Sequence, residues 1–278
     1  MFNKPTALRL STFVLTGALL WPNLSVAQPA DDQNKDWTFS VGAASLLTPA
    51  YQGSDNYAVM AVPDLRLKYK NRFFASIPEG VGYNILARDP GQSGWKVGPI
   101  TKIQFSRDEN GQGPFIITGE TNDLDGMGEV DTAFEVGGFI DYQWQKLQTR
   151  LEVRQGFGGH EGVVADLELN YRGRLGDGFF AVGPRMTWAS ADYNQTYFGV
   201  DATQAAATGL AQYNAGSGIA SYGVGGFALI PLRDKVTLTA FAGYDRLADE
   251  VADSSFIRER GTANQLTVGL GVSYAFNF

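Results

Sequence analysis

Residues 264–278, with the sequence NQLTVGLGVSYAFNF, indicate most directly how this chain folds. From Leu266 to Phe278 every second residue is apolar, and the residues between them are small or polar. This period of two predicts a β-strand with one apolar face. Such a face has to be covered, and the rest of the sequence indicates that lipid covers it.

The first 27 residues have the layout of a secretory signal peptide. Lys4 and Arg9 precede an apolar stretch over residues 10–21, and the small residues SVA follow at 25–27. The apolar stretch is shorter than a membrane span of about 20 residues, and the order of charged, apolar and small residues is typical of export. We predict cleavage after Ala27, which leaves residues 28–36 as a short periplasmic arm of a bacterial protein.

The composition excludes several classes of protein. There is no Cys for a disulfide framework, and the net charge of −7 argues against nucleic acid as a partner. Beyond the signal peptide, no run approaches the roughly 18 apolar residues of a spanning helix. With 34 Gly and 13% aromatic residues, the chain has the profile of a helix-free outer-membrane β-barrel, whose signal per strand is weak but repeated.

The connections between the alternating runs differ sharply in length. Tight turns are predicted at 70–71, 145–146, 176–177 and 233–234, whereas the loops at 108–130, 191–218 and 249–263 are long and polar. Bacterial barrels have short periplasmic turns, longer outer loops and an even number of strands. The sequence therefore predicts an all-β, transmembrane, antiparallel up-and-down barrel over residues 37–278. The predicted strands are 37–48, 59–70, 72–78, 80–88, 94–107, 131–144, 147–157, 163–175, 178–190, 219–232, 235–248 and 264–278.

One stretch decides the number of strands. Read as a single strand, RFFASIPEGVGYNILAR at 72–88 gives an odd total and places the loop at 108–130 on the periplasmic side. Pro78, Glu79 and Gly80 are plausible turn residues. A split there gives 12 strands, with 10 as the alternative, and makes 78–80 an outer loop.

Aromatic residues are expected at both ends of the strands. Trp37, Trp95 and Trp144 fall at periplasmic ends and Trp188 at an outer end, as in the aromatic belts of membrane proteins. A last strand that ends in Phe resembles the signal that outer-membrane barrels present to their insertion machinery. Outer-membrane lipid and lipopolysaccharide would then surround the barrel.

The tight turns also predict which residues face each other inside the barrel. Asp141 should lie opposite Arg150, and Glu168 opposite Arg185. A five-residue loop at 158–162 would further place Arg154 opposite Asp166 and Glu152 opposite Glu168. Opposite charges facing each other across strands stabilise a sheet modestly. Four further cations are predicted to point inward from the second and fifth strands: Arg66, Lys68, Lys96 and Lys102.

This lumen charge network has two interpretations. It could form the charged constriction of a narrow solute channel, with a basic side opposite a mixed acidic side. Alternatively, satisfied ion pairs could fill the lumen of a closed barrel. Both interpretations remain open from the residues alone.

Five short stretches resemble the MipA/OmpV family of outer-membrane proteins. The stretches run in family order through the chain, and RLADEVADSS before the last strand is the most specific. They are PAYQGS at 49–54, LDGMGEV at 124–130, YFGV at 197–200, RLADEVADSS at 246–255 and SYAF at 273–276.

The resemblance implies a scaffold function. The family is named for interaction with a lytic murein transglycosylase, and the scaffold would bring this hydrolase together with a bifunctional peptidoglycan synthase. Such enzymes can meet only the periplasmic side, where a small polar surface is available. The candidate surface residues are Asp31, Asp32, Asp36, Lys70, Arg72, Arg233 and Asp234.

An enzymatic function is the weakest hypothesis. Some outer-membrane barrels are lipid-modifying hydrolases with a Ser–His pair, and His160, the one His, lies in a predicted outer loop. The candidate hydroxyls are Thr187, Ser190 and Ser221, but no G-x-S-x-G elbow is present. We therefore expect His160 to be a solvated turn residue and the protein not to be an enzyme. The acidic outer loops lack the spacing of a calcium loop, so no metal or cofactor is predicted and these loops are expected to be solvated.

Overall fold

A closed antiparallel β-barrel forms the body of the protein. The computed structural model describes residues 36–109 and 115–278. The predicted signal peptide and residues 28–35 of the predicted arm lie outside the described residues. Twelve strands close the barrel and a thirteenth, short strand pairs with its wall, which confirms the predicted fold and number of barrel strands.

The strands keep the predicted order, with shifts at their ends. They are β1 Trp37–Pro49, β2 Tyr57–Tyr69, β3 Phe73–Ser76, β4 Gly80–Tyr83, β5 Gly94–Gln104, β6 Ile116–Thr118, β7 Ala133–Trp144, β8 Leu147–Gly158, β9 Val163–Leu175, β10 Gly178–Ala189, β11 Gly218–Arg233, β12 Val236–Leu247 and β13 Asn264–Asn277.

Pairing of the first and last strands closes the barrel. β1 pairs with β13, with Phe39 opposite Phe276 and Val41 opposite Tyr274, and on its other side with β2. The apolar residues of β13 point outward, and Leu270 is 59% exposed to the surroundings of the barrel. An unpaired strand edge would leave polar backbone groups in lipid, and this pairing removes that edge.

The hairpin of β3 and β4 is shorter than predicted. The chain does turn after Ser76, but each strand has only four residues, and Ser76 lies opposite Arg66 of β2. Glu79 is buried. The prediction that 78–80 is an outer loop is therefore wrong, because the turn lies within the wall of the barrel. Gly80 lies close to the backbone of Thr101, where a Cβ would not fit. β6 pairs with β2 farther out, with Val59 opposite Thr118.

Alternation along the strands separates a lipid face from a lumen face. The exposed side chains form an apolar band around the barrel, and they include Ile140, Leu151, Val153, Leu167, Leu169 and Val182. Aromatic pairs lie at the periplasmic ends, where the rings of Trp37 and Tyr69 are 4.6 Å apart and those of Trp95 and Tyr142 are 4.3 Å apart.

The outer connections contain helices, contrary to the predicted helix-free fold. They are α1 Ala191–Phe198, α2 Ala202–Thr208, α3 Asp249–Ala252 and α4 Ser255–Arg260. Within the described residues, none of the helices is long and apolar enough to cross a membrane.

These connections pack into one apolar cluster, which we call the outer cap. Its buried members come from the outer strand ends and four outer connections. They are Ala50, Tyr51, Ala58, Leu124, Met127, Val130, Val164, Ala189, Tyr193, Tyr197, Phe198, Val200, Leu210, Ala220, Leu247, Val251, Phe256 and Ile257. Most acidic side chains of these loops are exposed, as expected. The expectation is wrong for the apolar residues of the same loops, which pack together.

Candidate functional site

Arg154 of β8 is the centre of a buried ion-pair layer in the lumen. Its Nε atom lies 2.6 Å from Glu135 Oε2, and its Nη2 atom lies 2.8 Å from Asp166 Oδ2. It also forms an ion pair with Glu152, which is 1% exposed. Lys102 and Arg150 form ion pairs with the same Glu152. Solvent scarcely reaches this layer, since Asp166 is 2% exposed.

Two predicted facing pairs have the expected register but other partners. Asp141 lies opposite Arg150, and Glu168 lies opposite Arg185. However, Arg150 bonds to Glu152 on its own strand, and Arg185 forms an ion pair with Asp245 of β12. Long side chains in a closed lumen reach beyond the residue directly opposite, which is why backbone register alone did not predict the ion pairs.

The predicted register across the loop at 158–162 is wrong by two residues. Glu152 faces Asp166, and Arg154 faces Val164. The connection is effectively longer than five residues, because pairing of β8 with β9 ends at Gln155 and Gly156 already bonds to Gly162 within the turn.

The remaining predicted cations are distributed through the lumen. Arg66 forms an ion pair with Asp64 at 2.6 Å, and Lys102 reaches Glu152 across the neighbouring strands. Lys96 is buried opposite Asp141, and Lys68 lies on the inner face of β2. Since Arg66 and Lys102 are paired with carboxylates, the predicted separation into a basic and an acidic side does not hold for these two.

Two small clusters of buried apolar side chains lie elsewhere in the barrel. Phe74, Ile100 and Phe139 form one buried cluster, with the guanidinium carbon of Arg150 4.2 Å from the ring centre of Phe139. A second buried cluster lies nearer to β1 and β12: Ala44, Leu46, Met60 and Phe241. Gly269 leaves the space that the ring of Phe241 occupies, since a Cβ there would lie 2.1 Å from it.

His160 is buried, so the expectation of a solvated turn residue is wrong. It is 2% exposed and lies under the cap, with its ring centre 5.0 Å from that of Tyr193. Nδ1 accepts a hydrogen bond from the Gly162 backbone, and Nε2 lies 3.1 Å from Glu135 Oε1. Because Nδ1 accepts, Nε2 carries the proton and donates to Glu135. Gly156 makes room for the ring, since a Cβ there would lie 2.1 Å from it.

Two of the three candidate hydroxyls, those of Thr187 and Ser190, have other partners. Thr187 donates to Asp166 at 2.7 Å, and Ser190 accepts from the Val163 backbone at 2.9 Å. Within residues 36–109 and 115–278, His160 has no hydrogen bond to a hydroxyl. Nor does this part of the chain contain a group of three or more His, Asp or Glu side chains that could hold a metal ion.

The periplasmic rim carries the second candidate site. Asp36 and Lys70 form an exposed ion pair at 3.2 Å, whereas Asp31 and Asp32 lie outside the described residues. Arg72 donates to the backbone of Asn84 and Ile85, and Arg233 and Asp234 are exposed in the turn between β11 and β12.

Sequence reasoning missed two exposed cations of this rim, Lys146 and Arg174. Like Lys235, they lie at or beside periplasmic turns. Like Arg72 and Arg233, they have no carboxylate within ion-pair distance among the residues that the structure describes. These cations could have been found from the sequence, because periplasmic turns can be identified from their short length and the cations lie at or beside them.

A closed barrel with an apolar outer band and aromatic rings at its periplasmic end defines an outer-membrane β-barrel protein. This chain belongs to the family described as MltA-interacting protein MipA, which it matches over residues 41–276. This result confirms the resemblance found in the sequence.

Two relatives support the outer-membrane location. Outer membrane protein OmpV of Vibrio cholerae serotype O1 and outer membrane protein Omp26La of Vibrio anguillarum are each 37% identical to the chain over 91 residues. The matched stretch covers 33% of this chain and only 34% of each relative.

Solved structures share the barrel architecture at low sequence identity. An outer membrane channel from Pseudomonas putida F1 matches with a TM-score of 0.45 and 14% identity, over 90% of this chain and 99% of that one. The NanC porin matches with a TM-score of 0.40 and 12% identity, over 85% of this chain and 98% of that one. Neither likeness indicates what this chain binds or transports.

Four of the five family-like stretches meet in the outer cap. The ring of Tyr51 stacks on that of Phe256, just after the fourth stretch, at 5.4 Å. Ser254 donates to the backbone oxygen of Phe198 at 2.5 Å, and Leu124 is fully buried in the same cluster. The residues that carry the resemblance therefore build the cap, far from the periplasmic rim.

Proposed function

We propose that the protein is a closed outer-membrane scaffold that presents its periplasmic rim to a murein lytic transglycosylase. The proposal is supported by the buried ion-pair layer around Arg154, which lies in the lumen beneath the outer cap. A solute channel needs a continuous wet path. With the lumen closed, the surfaces left for a cell-envelope function are those at the two ends of the barrel.

The periplasmic end fits such a partner by location and chemistry. A murein enzyme works in the periplasm and can meet only this side of the membrane. The rim offers exposed cations, together with the ion pair of Asp36 and Lys70. Short turns give a surface near or below the roughly 1,200 Å² of a stable interface, so the contact is weak and sensitive to salt.

The family name supports this choice of partner, since it names an interaction with MltA. In the same proposal a peptidoglycan synthase joins through the enzyme or through the remaining rim. A Ser–His mechanism is not part of this proposal, because His160 is buried beneath the cap and has no hydroxyl partner among the described residues.

The test is binding of purified MltA to the full-length mature protein in lipid nanodiscs. One variant lacks residues 28–36, and another combines Lys146→Gln, Arg174→Gln and Lys235→Gln. Three exposed charges worth about 0.5 kcal/mol each should weaken binding about tenfold. A matched control is Arg258→Gln on the exposed face of α4, which should bind as the unchanged protein does. Undiminished binding by both rim variants, independent of salt, would contradict the proposal and move the contact to the barrel flank.

A further inference from the structure

The periplasmic part of the lumen contains more cations than carboxylates. Lys96 of β5 is influenced by the charges of Arg88, Lys68, Asp141 and Glu79. Arg172 of β9 belongs to the same group of charges, because it interacts with Arg88 and Asp141. Lys68 in turn interacts with Arg66 and Asp64, so five cations face three carboxylates in this part of the barrel. Buried charge without a counter-charge is costly, so an excess of this kind indicates a place for an anion.

Lys96 is the member of the group that lacks a partner. It is 7% exposed and lies opposite Asp141 in the pairing of β5 with β7. Both oxygens of that carboxylate are engaged, Oδ1 by Arg88 and Oδ2 by Gln148. Among the described residues, Lys96 has no hydrogen bond or ion pair. An ammonium group withdrawn from water in this way needs an acceptor.

The guanidinium groups of Arg88 and Arg172 meet at the side-chain amide oxygen of Gln143. Arg88 and Arg172 each donate to Oε1 of Gln143 at 2.9 Å. An amide oxygen carries no net charge and cannot neutralise either group. Arg172 is half-buried and Arg174, two residues on, is exposed, so this side of the cluster leads to the periplasm.

We propose that Lys96, with Arg172, forms a periplasm-facing binding site for an oxyanion of the carboxylate or phosphate type. The oxyanion would add counter-charge for Lys96, because the nearby carboxylate of Asp141 is already paired with Arg88. Lys96 would act as a point charge, and Arg172 would offer its planar fork at the entrance. Two periplasmic sources have this chemistry: the free carboxylates of murein peptides, and free inorganic phosphate.

The site stands apart from the proposed scaffold function. The site lies in the periplasmic part of the lumen, and an anion can bind there without a protein partner. Binding of a small anion can therefore succeed where capture of the murein enzyme fails, and the reverse also holds.

The test is titration calorimetry on the purified full-length mature protein in detergent at neutral pH and low salt. The two probes are inorganic phosphate and a soluble disaccharide-tetrapeptide released from murein. We expect saturable binding that Lys96→Met weakens about tenfold or more and that Lys96→Arg largely restores. Arg172→Gln is the second variant and should also weaken binding, in case Lys96→Met does not fold. Arg258→Gln on α4 is the matched control and should leave binding unchanged.

The outcomes separate the two sources. Tighter binding of the murein fragment than of phosphate would assign the site to the cell wall, and equal or tighter binding of phosphate would assign it to the free ion. Absence of saturable binding of both probes, or equal affinity in folded Lys96→Met and the unchanged protein, would overturn the proposal.

Discussion

At the scale of single residues, Arg154 should decide the stability of the barrel interior. It joins Glu135, Glu152 and Asp166, so Arg154→Ala leaves three buried carboxylates without their shared cation. In a dry interior the loss should be about 3–5 kcal/mol. Thermal unfolding in detergent would detect it as a large fall in melting temperature.

The size of that fall also reports on water in the lumen. Ion pairs in contact with solvent contribute about 0–1 kcal/mol, so a small effect of Arg154→Ala would contradict a closed interior. Arg258→Ala, on the exposed side of α4, is the matched control and should leave the melting temperature unchanged.

The lipid face can be tested with two leucines of one strand. Leu169 lies in the middle of β9 and Leu175 at its periplasmic end, and both point outward. Leu169→Arg should cost about 2–4 kcal/mol and impair insertion, whereas Leu175→Arg should cost about 0–1 kcal/mol. Assembly is measured by the shift of the folded barrel on unheated gels. Equal effects of the two substitutions would contradict the assignment of these leucines to the lipid face or to different depths in the membrane.

Tight turns made part of the residue register predictable. The two-residue turn between β7 and β8 places Asp141 opposite Arg150, as the sequence predicts. The register predicted across the connection between β8 and β9 is wrong, because nothing in the sequence indicates that pairing stops at Gln155. The burial of His160 depends on the same connection and could not be foreseen for the same reason.

At the scale of elements, the strands were predictable and the outer cap was not. Each strand carries its own alternating pattern, which is a local property. The helices have only four to eight residues, and helices this short are stable only through packing. The residues that the helices pack against are distant in sequence, as Tyr51 is from Phe256 of α4. The family-like stretches marked the cap residues without indicating that they pack together.

The cap should loosen at alkaline pH. Burial raises the pKa values of Tyr51, Tyr193 and Tyr197 above the usual value of about 10. Below that pH all three phenols are protonated in the folded and the unfolded cap, and stability is unaffected. Above it the unfolded cap loses protons that the folded cap keeps, so stability falls as pH rises.

Limited proteolysis across an alkaline pH series would measure this loosening. The double variant Tyr193→Phe and Tyr197→Phe removes two of the phenols and should shift the onset of cleavage in the connection at 190–217 to higher pH. The same onset in the variant and the unchanged protein would show that these tyrosines do not control the cap.

At the scale of the whole molecule, two buried layers lie one beneath the other at the outer side of the barrel. The outer cap is apolar and lies over the outer end, and the ion-pair layer around Arg154 lies beneath it in the lumen. Porins of similar architecture keep a water-filled channel. The strand pattern predicts a barrel in both cases, so the sequence left the channel and the closed scaffold as alternatives. Contacts between inward side chains, which no single strand specifies, favour the closed state.

Single-channel conductance in planar lipid bilayers tests the closed lumen most directly. A known porin added to the same bilayer serves as the positive control, and flotation of proteoliposomes confirms that the protein has inserted. We predict no steady unitary current steps from the inserted protein, because the cap and the ion-pair layer leave no continuous wet path. Reproducible steps whose size scales with salt concentration would contradict the closed barrel and favour a solute channel.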